Sequence, residues 1–353
     1  MVAAIKKQRD SNLELYRVIT MLLIVAHHYV VNSGLWELIA DAPLASNTVF
    51  LHLFGAWGKT GINCFVLITG YFMCKSEITL KKYTKLLLEV EFYRIVSYLI
   101  FFLSGYEPFS LKGLFAAVWP FTNVAQNFTG CFLLFYLFIP FLNILIKNMT
   151  QRQHLSLAVL TLFVYTVLGT VPKIDVIMNY VSWFIVLYLL ASYIRLYPIE
   201  IFNSVKFTAF LTVTTIIISI ISVIGIIIVN EKIGFTVSSH YFLSDSNRIM
   251  AVLVGLSSFL LFKNLKIKHS KIINAMGAST FGVLLIHSTS SAMRRWLWVD
   301  TLKNTKMLNS PWLYVHAILS VLGIFIVATV IDRLRVRFIE TPIFKLWDKK
   351  FSK

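Results

Sequence analysis

Charge is scarce in this chain. Only 14% of its 353 residues are Asp, Glu, Lys or Arg, against about 25% in a soluble domain. Acidic residues are the scarcer sign, 16 against 33 basic, which leaves a net charge of +17. Cysteine is scarce too. Cys64, Cys74 and Cys131 are odd in number and fall in or beside apolar segments. They imply no disulfide framework, and none has zinc-site spacing to a histidine. No internal repeat, low-complexity tract or soluble domain interrupts the pattern. These absences exclude a disulfide scaffold and a zinc module, and they leave any active site to be built from helices and short connections.

What fills the space is apolar. Hydrophobic residues make up 58% of the chain, and the mean hydropathy is +0.75. Runs near the length that crosses a bilayer, about 20 residues, recur throughout. They predict an all-α, polytopic membrane protein of about ten transmembrane helices, in one domain covering residues 1–353. The expected spans are 13–31, 50–73, 85–103, 130–147, 155–170, 179–196, 207–229, 248–263, 272–291 and 312–332. The tract from Phe109 to Phe121 is too short to span and suits the interface. Lys6, Lys7 and Arg9 ahead of an apolar stretch, with Ala40-Asp41-Ala42 after it, invite comparison with a cleaved leader. Such a leader would be overlong, with two histidines in its core, so an uncleaved first span is expected.

Basic residues favour cytoplasmic loops. With both termini in the cytoplasm, cytoplasmic segments hold 22 of the 33 basic residues, among them Lys81, Lys82, Lys85, Lys263, Arg335 and Lys353. The loop 292–311 departs from this bias, since it places Arg294, Arg295, Lys303 and Lys306 outside. It can face an anionic acceptor or lipid headgroups, or simply be solvated. The positive charge therefore belongs to the membrane face. Nucleic-acid binding is a poor reading, because the charges flank spans and line no groove.

Ionisable residues inside spans are the functional candidates. Arg17 and His28 lie eleven positions apart in the first span, which is about three helical turns. They share a face, with His28 roughly 16 Å further along the axis. Arg17 keeps its charge and presents a fork of donors suited to phosphate or carboxylate. Glu14, at i−3, can pair with it, and snorkelling to headgroups is the plainer role. His28 can exchange protons near neutrality, and apolar surroundings leave it neutral and available as a base. A packed, hydrogen-bonded core histidine is the alternative. His27 points about 100° away.

The third span carries Glu89, Glu91 and Arg94, of which Glu91 and Arg94 are spaced to neutralise each other. His287 lies about as far along the ninth span as His28 along the first, so the two can meet near the outer leaflet; packing at the span end is the other reading. Gly58, Gly61 and Gly70, with Asn63, have the spacing of close helix packing and are assigned no chemistry. No metal site is expected.

These residues, in this order, resemble the bacterial membrane acyltransferase family three. The opening Asn12-x-Glu14-x-x-Arg17 followed by His28 looks like its Arg-x10-His motif. Gly58 to Tyr71 is similar to its second-span signature, with Thr69 where Ser is usual and Cys64 where an aromatic is common. Thr129 to Asn143 resembles a family tract ending in Pro and Asn, though a Trp common near its start is absent and Phe128 stands nearby. Ser182 to Arg195 and Ser279 to His287 are also similar to family segments. The resemblance spans the whole chain.

It implies an integral O-acyltransferase of the bacterial cytoplasmic (inner) membrane. Such an enzyme carries an acyl group, usually acetyl from acetyl-CoA, to a hydroxyl of an extracytoplasmic polysaccharide or lipid-linked glycan. Acetyl-CoA is then a cosubstrate, with no metal. The resemblance implies that Arg17 and His28 are the essential pair. On that footing His28 is a general base or a transient acyl carrier, Arg17 grips the donor with help from Arg94, and His287 lies on the acceptor side. Two other readings stand beside it. One is a glycan or glycolipid carrier without acyl chemistry. The other is a structural partner in polysaccharide assembly.

Overall fold

In the computed structural model the described residues are 9–351, apart from 41, 43, 122–126 and 235. Lys6, Lys7, Asp41 and Lys353, used in the sequence reading, lie outside them. Every regular element among the described residues is helical. The chain opens with α1 (Ser11–Val31), α2 (Leu35–Ala40), α3 (Ser46–Phe54), α4 (Gly58–Met73), α5 (Leu80–Leu103), α6 (Leu111–Val118) and α7 (Phe128–Asn148). Next come α8 (Gln151–Leu162), which runs on as a π-helical turn over Phe163–Leu168, then α9 (Tyr180–Leu196), α10 (Val205–Ile233), α11 (Ile249–Asn264) and α12 (Lys271–Ser288). The chain closes with α13 (Ser291–Arg295), α14 (Leu313–Arg335) and α15 (Thr341–Phe351).

Local chemistry sets these boundaries. Thr150 and Gln153 form a reciprocal capping box at the start of α8, which satisfies donors that the first helical turn leaves open. Thr79, Asn179, Ser204 and Ser270 each accept from a backbone N–H at the start of α5, α9, α10 and α12. The long α10 stops at Gly234, whose φ of 73° is left-handed and costs glycine little.

Among the described residues four helices are long and apolar enough to cross a membrane: Ser11–Val31, Phe128–Asn148, Val205–Ile233 and the continuous Leu313–Phe351. Tyr180–Leu196 and Ile249–Asn264 are shorter apolar helices. The outer faces of α10 and α14 expose Phe210, Ile217, Ile221, Leu319, Ile326 and Val330. An apolar surface of that extent is stable in lipid and costly in water. The expected span at 50–73 is broken instead into α3 and α4 by a corner at Gly55–Trp57. That corner packs on α1, where a Cβ on Gly55 would lie 3.1 Å from Val30. The tract Phe109–Phe121 yields only the eight-residue α6.

The first helix is the hub. It packs against α4, α11, α12 and α14. Gly61 of α4 sits so close to α1 that a Cβ would come within 2.6 Å of Ile24, and Gly70 meets Ala191 of α9 in the same way. Small residues therefore bring α4 against both neighbours. Asn63 fastens the seam: its amide donates to the carbonyls of Ser246 (2.7 Å) and Ala251 (3.0 Å) and accepts from the Trp183 indole (2.9 Å). On the far side of the bundle Arg335, 6% exposed, meets Glu89 (3.0 Å), Asp332 (3.0 Å) and Glu340 (2.8 Å). These contacts lock α5 to the end of α14.

Candidate active site

The end of the bundle that holds the C-terminus of α1 contains a cavity of about 720 Å³. Its wall comes from the last turns of α1 and α12, the first turns of α4, α7 and α9, the second half of α5, the end of α6 and the start of α13. His27, His28, Lys59, Arg94, Tyr180, Ser288, Ser290 and Arg294 face it among apolar side chains. Helix ends converge there because α1, α4 and α12 pack closely along their lengths.

The geometry of the imidazoles is specific. His287 is 1% exposed, and its Nδ1 lies 2.6 Å from the carbonyl of Val283, one turn earlier in α12. A carbonyl only accepts, so His287 Nδ1 carries a proton. In an uncharged ring its Nε2 is then an acceptor. That Nε2 lies 2.9 Å from His28 Nδ1, so His28 Nδ1–H donates to it. The lone pair of His28 is thereby fixed on Nε2, the nitrogen left for the cavity. Trp298 stands edge-on to His287 with ring centroids 6.4 Å apart, which holds the second ring in place.

His27 uses its Nδ1 on the Gly55 carbonyl at 2.6 Å and also lines the cavity. Gly58 lies directly against its ring, where a Cβ would collide. The helical offset of 100° therefore does not take His27 out of the site.

Arg17 lies elsewhere. Its guanidinium pairs with Glu14 at 3.1 Å, and Glu14 also takes Arg9 at 3.2 Å. The His28 cavity is not lined by Arg17. The buried Thr60 hydroxyl and one oxygen of Glu14, a turn before Arg17, have no hydrogen-bond partner among the described residues, and the Thr20 hydroxyl stands beside the Cys64 thiol.

Arg94 and Arg17 are not brought together. Arg94 lines the His28 cavity. Its Nη2 donates to the carbonyls of Ala116 and of Trp119, the latter at 3.0 Å. It thus closes the C-terminal end of α6, whose carbonyls lack partners within the helix. Glu91 and Arg94 feel each other's charge but make no direct ion pair. Both Glu91 carboxylate oxygens are buried without a hydrogen-bond partner among the described residues. The short helix α6 supplies acceptors that the i,i+3 neighbour does not displace.

The sequence reading missed Lys59, Tyr180 and the inward turn of Arg294. Lys59 Nζ donates to the Tyr180 hydroxyl (2.7 Å), which donates in turn to Asp245 (3.3 Å). Lys59 itself lies 3.6 Å from Asp245. Nothing local in the sequence joins residues so far apart. The basic loop 292–311 was the one available signal for Arg294. Among the described residues no group of three or more His, Cys, Asp or Glu is placed to hold a metal ion.

A model of the acyltransferase domain of acyltransferase family three matches residues 10–331. No curated protein and no solved structure gives a match.

Proposed function

The chain belongs to acyltransferase family three, and from that premise we propose that it is an O-acyltransferase moving acetyl from cytoplasmic acetyl-CoA to a hydroxyl of an extracytoplasmic surface glycan. The reading includes about ten spans in the bacterial inner membrane with both termini cytoplasmic, which follows the positive-inside bias of the loops. The His28 cavity then opens on the outer side, and Arg17 faces the cytoplasm.

The observation that carries the reading is the paired imidazole in a cavity, with one nitrogen of His28 committed to His287 and the other left for substrate. In the proposed reaction His28 Nε2 takes the proton of the acceptor hydroxyl as its oxygen attacks the thioester carbonyl. A C–O bond forms, the C–S bond breaks, and the proton passes from His28 to the leaving thiolate, giving the O-acetyl ester and free CoA. His287 supports the imidazolium that forms on His28 in between. Arg17 grips the donor phosphates, roughly 16 Å down the helix axis from His28. The donor's arm spans that distance along α1.

Mass spectrometry of cell-surface glycan from deletion and complemented cells tests this. Loss of acetyl groups with glycan export unchanged is expected. Loss of export itself would mark a carrier and overturn the reading.

A further inference from the structure

The cavity is built for negative charge. Among the described residues it is lined by three cations, Lys59, Arg94 and Arg294, and one carboxylate, Glu107, which is exposed. Two of the cations have partners, though the Nε of Arg94 is buried without one among the described residues. Lys59 is neutralised by Asp245 at 3.6 Å, and Arg94 is occupied by the end of α6. Arg294 differs. It is half-buried, it faces the cavity, and its guanidinium has no carboxylate or hydrogen-bond partner among the described residues. Its neighbour Arg295 turns outward, 3.9 Å from Asp300.

Partly withdrawing a guanidinium from water without a partner carries a cost, so an arginine held this way is poised for a group that arrives. Its planar fork fits the paired oxygens of a carboxylate or phosphate. The thioester and the acceptor hydroxyl are both uncharged and offer it single neutral acceptors, not the paired charged oxygens its fork fits. The donor phosphates belong, on the reading above, to the Arg17 end.

Resting on that acyltransferase reading for the identity of the cavity, we infer that the acceptor is an anionic glycan, bearing a carboxylate or phosphate close to the acetylated hydroxyl, and that Arg294 selects it. Arg294 is thus a specificity-determining residue.

The test uses the full chain in phosphatidylcholine nanodiscs, whose headgroups carry no net charge to compete. Calorimetric titrations with methyl glucuronide, glucose 1-phosphate and methyl glucoside compare a carboxylate, a phosphate and a neutral sugar. At least one anionic sugar is expected to bind roughly ten- to hundredfold more tightly than the glucoside, as loss of a charged hydrogen bond implies. The tighter of the two identifies the anion. Arg294→Gln should erase the preference, and Arg294→Lys should keep part of it, which separates a lost contact from a lost fold. Equal or undetectable binding of all three sugars by the native protein, or a preference that survives Arg294→Gln, would overturn the inference.

Acetyl transfer from acetyl-CoA to the same sugars is read separately. Anion preference without transfer upholds the anion site and sinks the acyltransferase reading. Equal transfer to neutral and anionic sugars does the reverse. Equal loss of both transfers in Arg294→Gln would assign Arg294 to the reacting carbonyl and refute a selective role.

Discussion

Replacing His287 separates a positioning partner from a simple acceptor contact. His287 Nε2 receives the His28 Nδ1 proton at 2.9 Å, and its own Nδ1 proton is tied to Val283 at 2.6 Å. When His28 takes up a proton, that bond becomes charge-assisted and is worth about 1.5–3 kcal/mol. Each 1.36 kcal/mol is tenfold in rate. His287→Leu should therefore lower kcat for acetyl transfer roughly ten- to hundredfold, with the KM for both substrates little changed. His287→Gln carries an acceptor and a donor on one planar group. It can receive from His28 and donate to Val283, so it should retain most of the native kcat. The assay is transfer of labelled acetyl from acetyl-CoA in detergent-solubilised protein, with melting curves to confirm the fold of each variant. If His287→Leu kept its kcat and raised only the acceptor KM, the positioning role would be wrong. A Gln variant as slow as the Leu variant, yet equally stable, would be just as damaging.

Other substitutions probe the rest of the frame. Arg335→Ala leaves Glu89, Asp332 and Glu340 buried without their shared cation. It should destabilise the protein by about 3–5 kcal/mol, read as a large fall in melting temperature or in membrane yield; an unchanged melting curve would contradict the buried network. Gly58→Val drives a side chain into the His27 ring and should cost about 1–3 kcal/mol of packing together with acetyl transfer, whereas full activity would show that the α1–α4 contact is looser than described. Arg17→Ala should raise the KM for acetyl-CoA roughly ten- to hundredfold by removing a charged contact to phosphate and leave the acceptor KM alone; an effect confined to the acceptor would place Arg17 in the wrong role.

Much of this site was legible in the sequence because helical geometry is regular. Eleven residues fix Arg17 and His28 on one face of α1, and the equal depths of His28 and His287 in their spans anticipate the 2.9 Å contact. The glycines at 58, 61 and 70 announced close packing, and each meets a neighbouring helix.

What failed depended on packing that spacing alone does not show. The spacing of Glu91 and Arg94 allowed an ion pair, but carbonyls at Ala116 and Trp119 took the guanidinium instead. Arg335 read as one more cytoplasmic cation, yet it is buried among three carboxylates drawn from two stretches of chain. The break at Gly55–Trp57 was hidden because hydropathy is blind to a corner that stays apolar through the turn.

The central claim is that His28 performs the proton transfer, and the most direct measurement is acetyl transfer by His28→Ala in membranes holding equal amounts of variant and native protein. The expected result is no labelled acetyl on glycan, with the variant still folded in the membrane. Labelling at the native rate would contradict the claim.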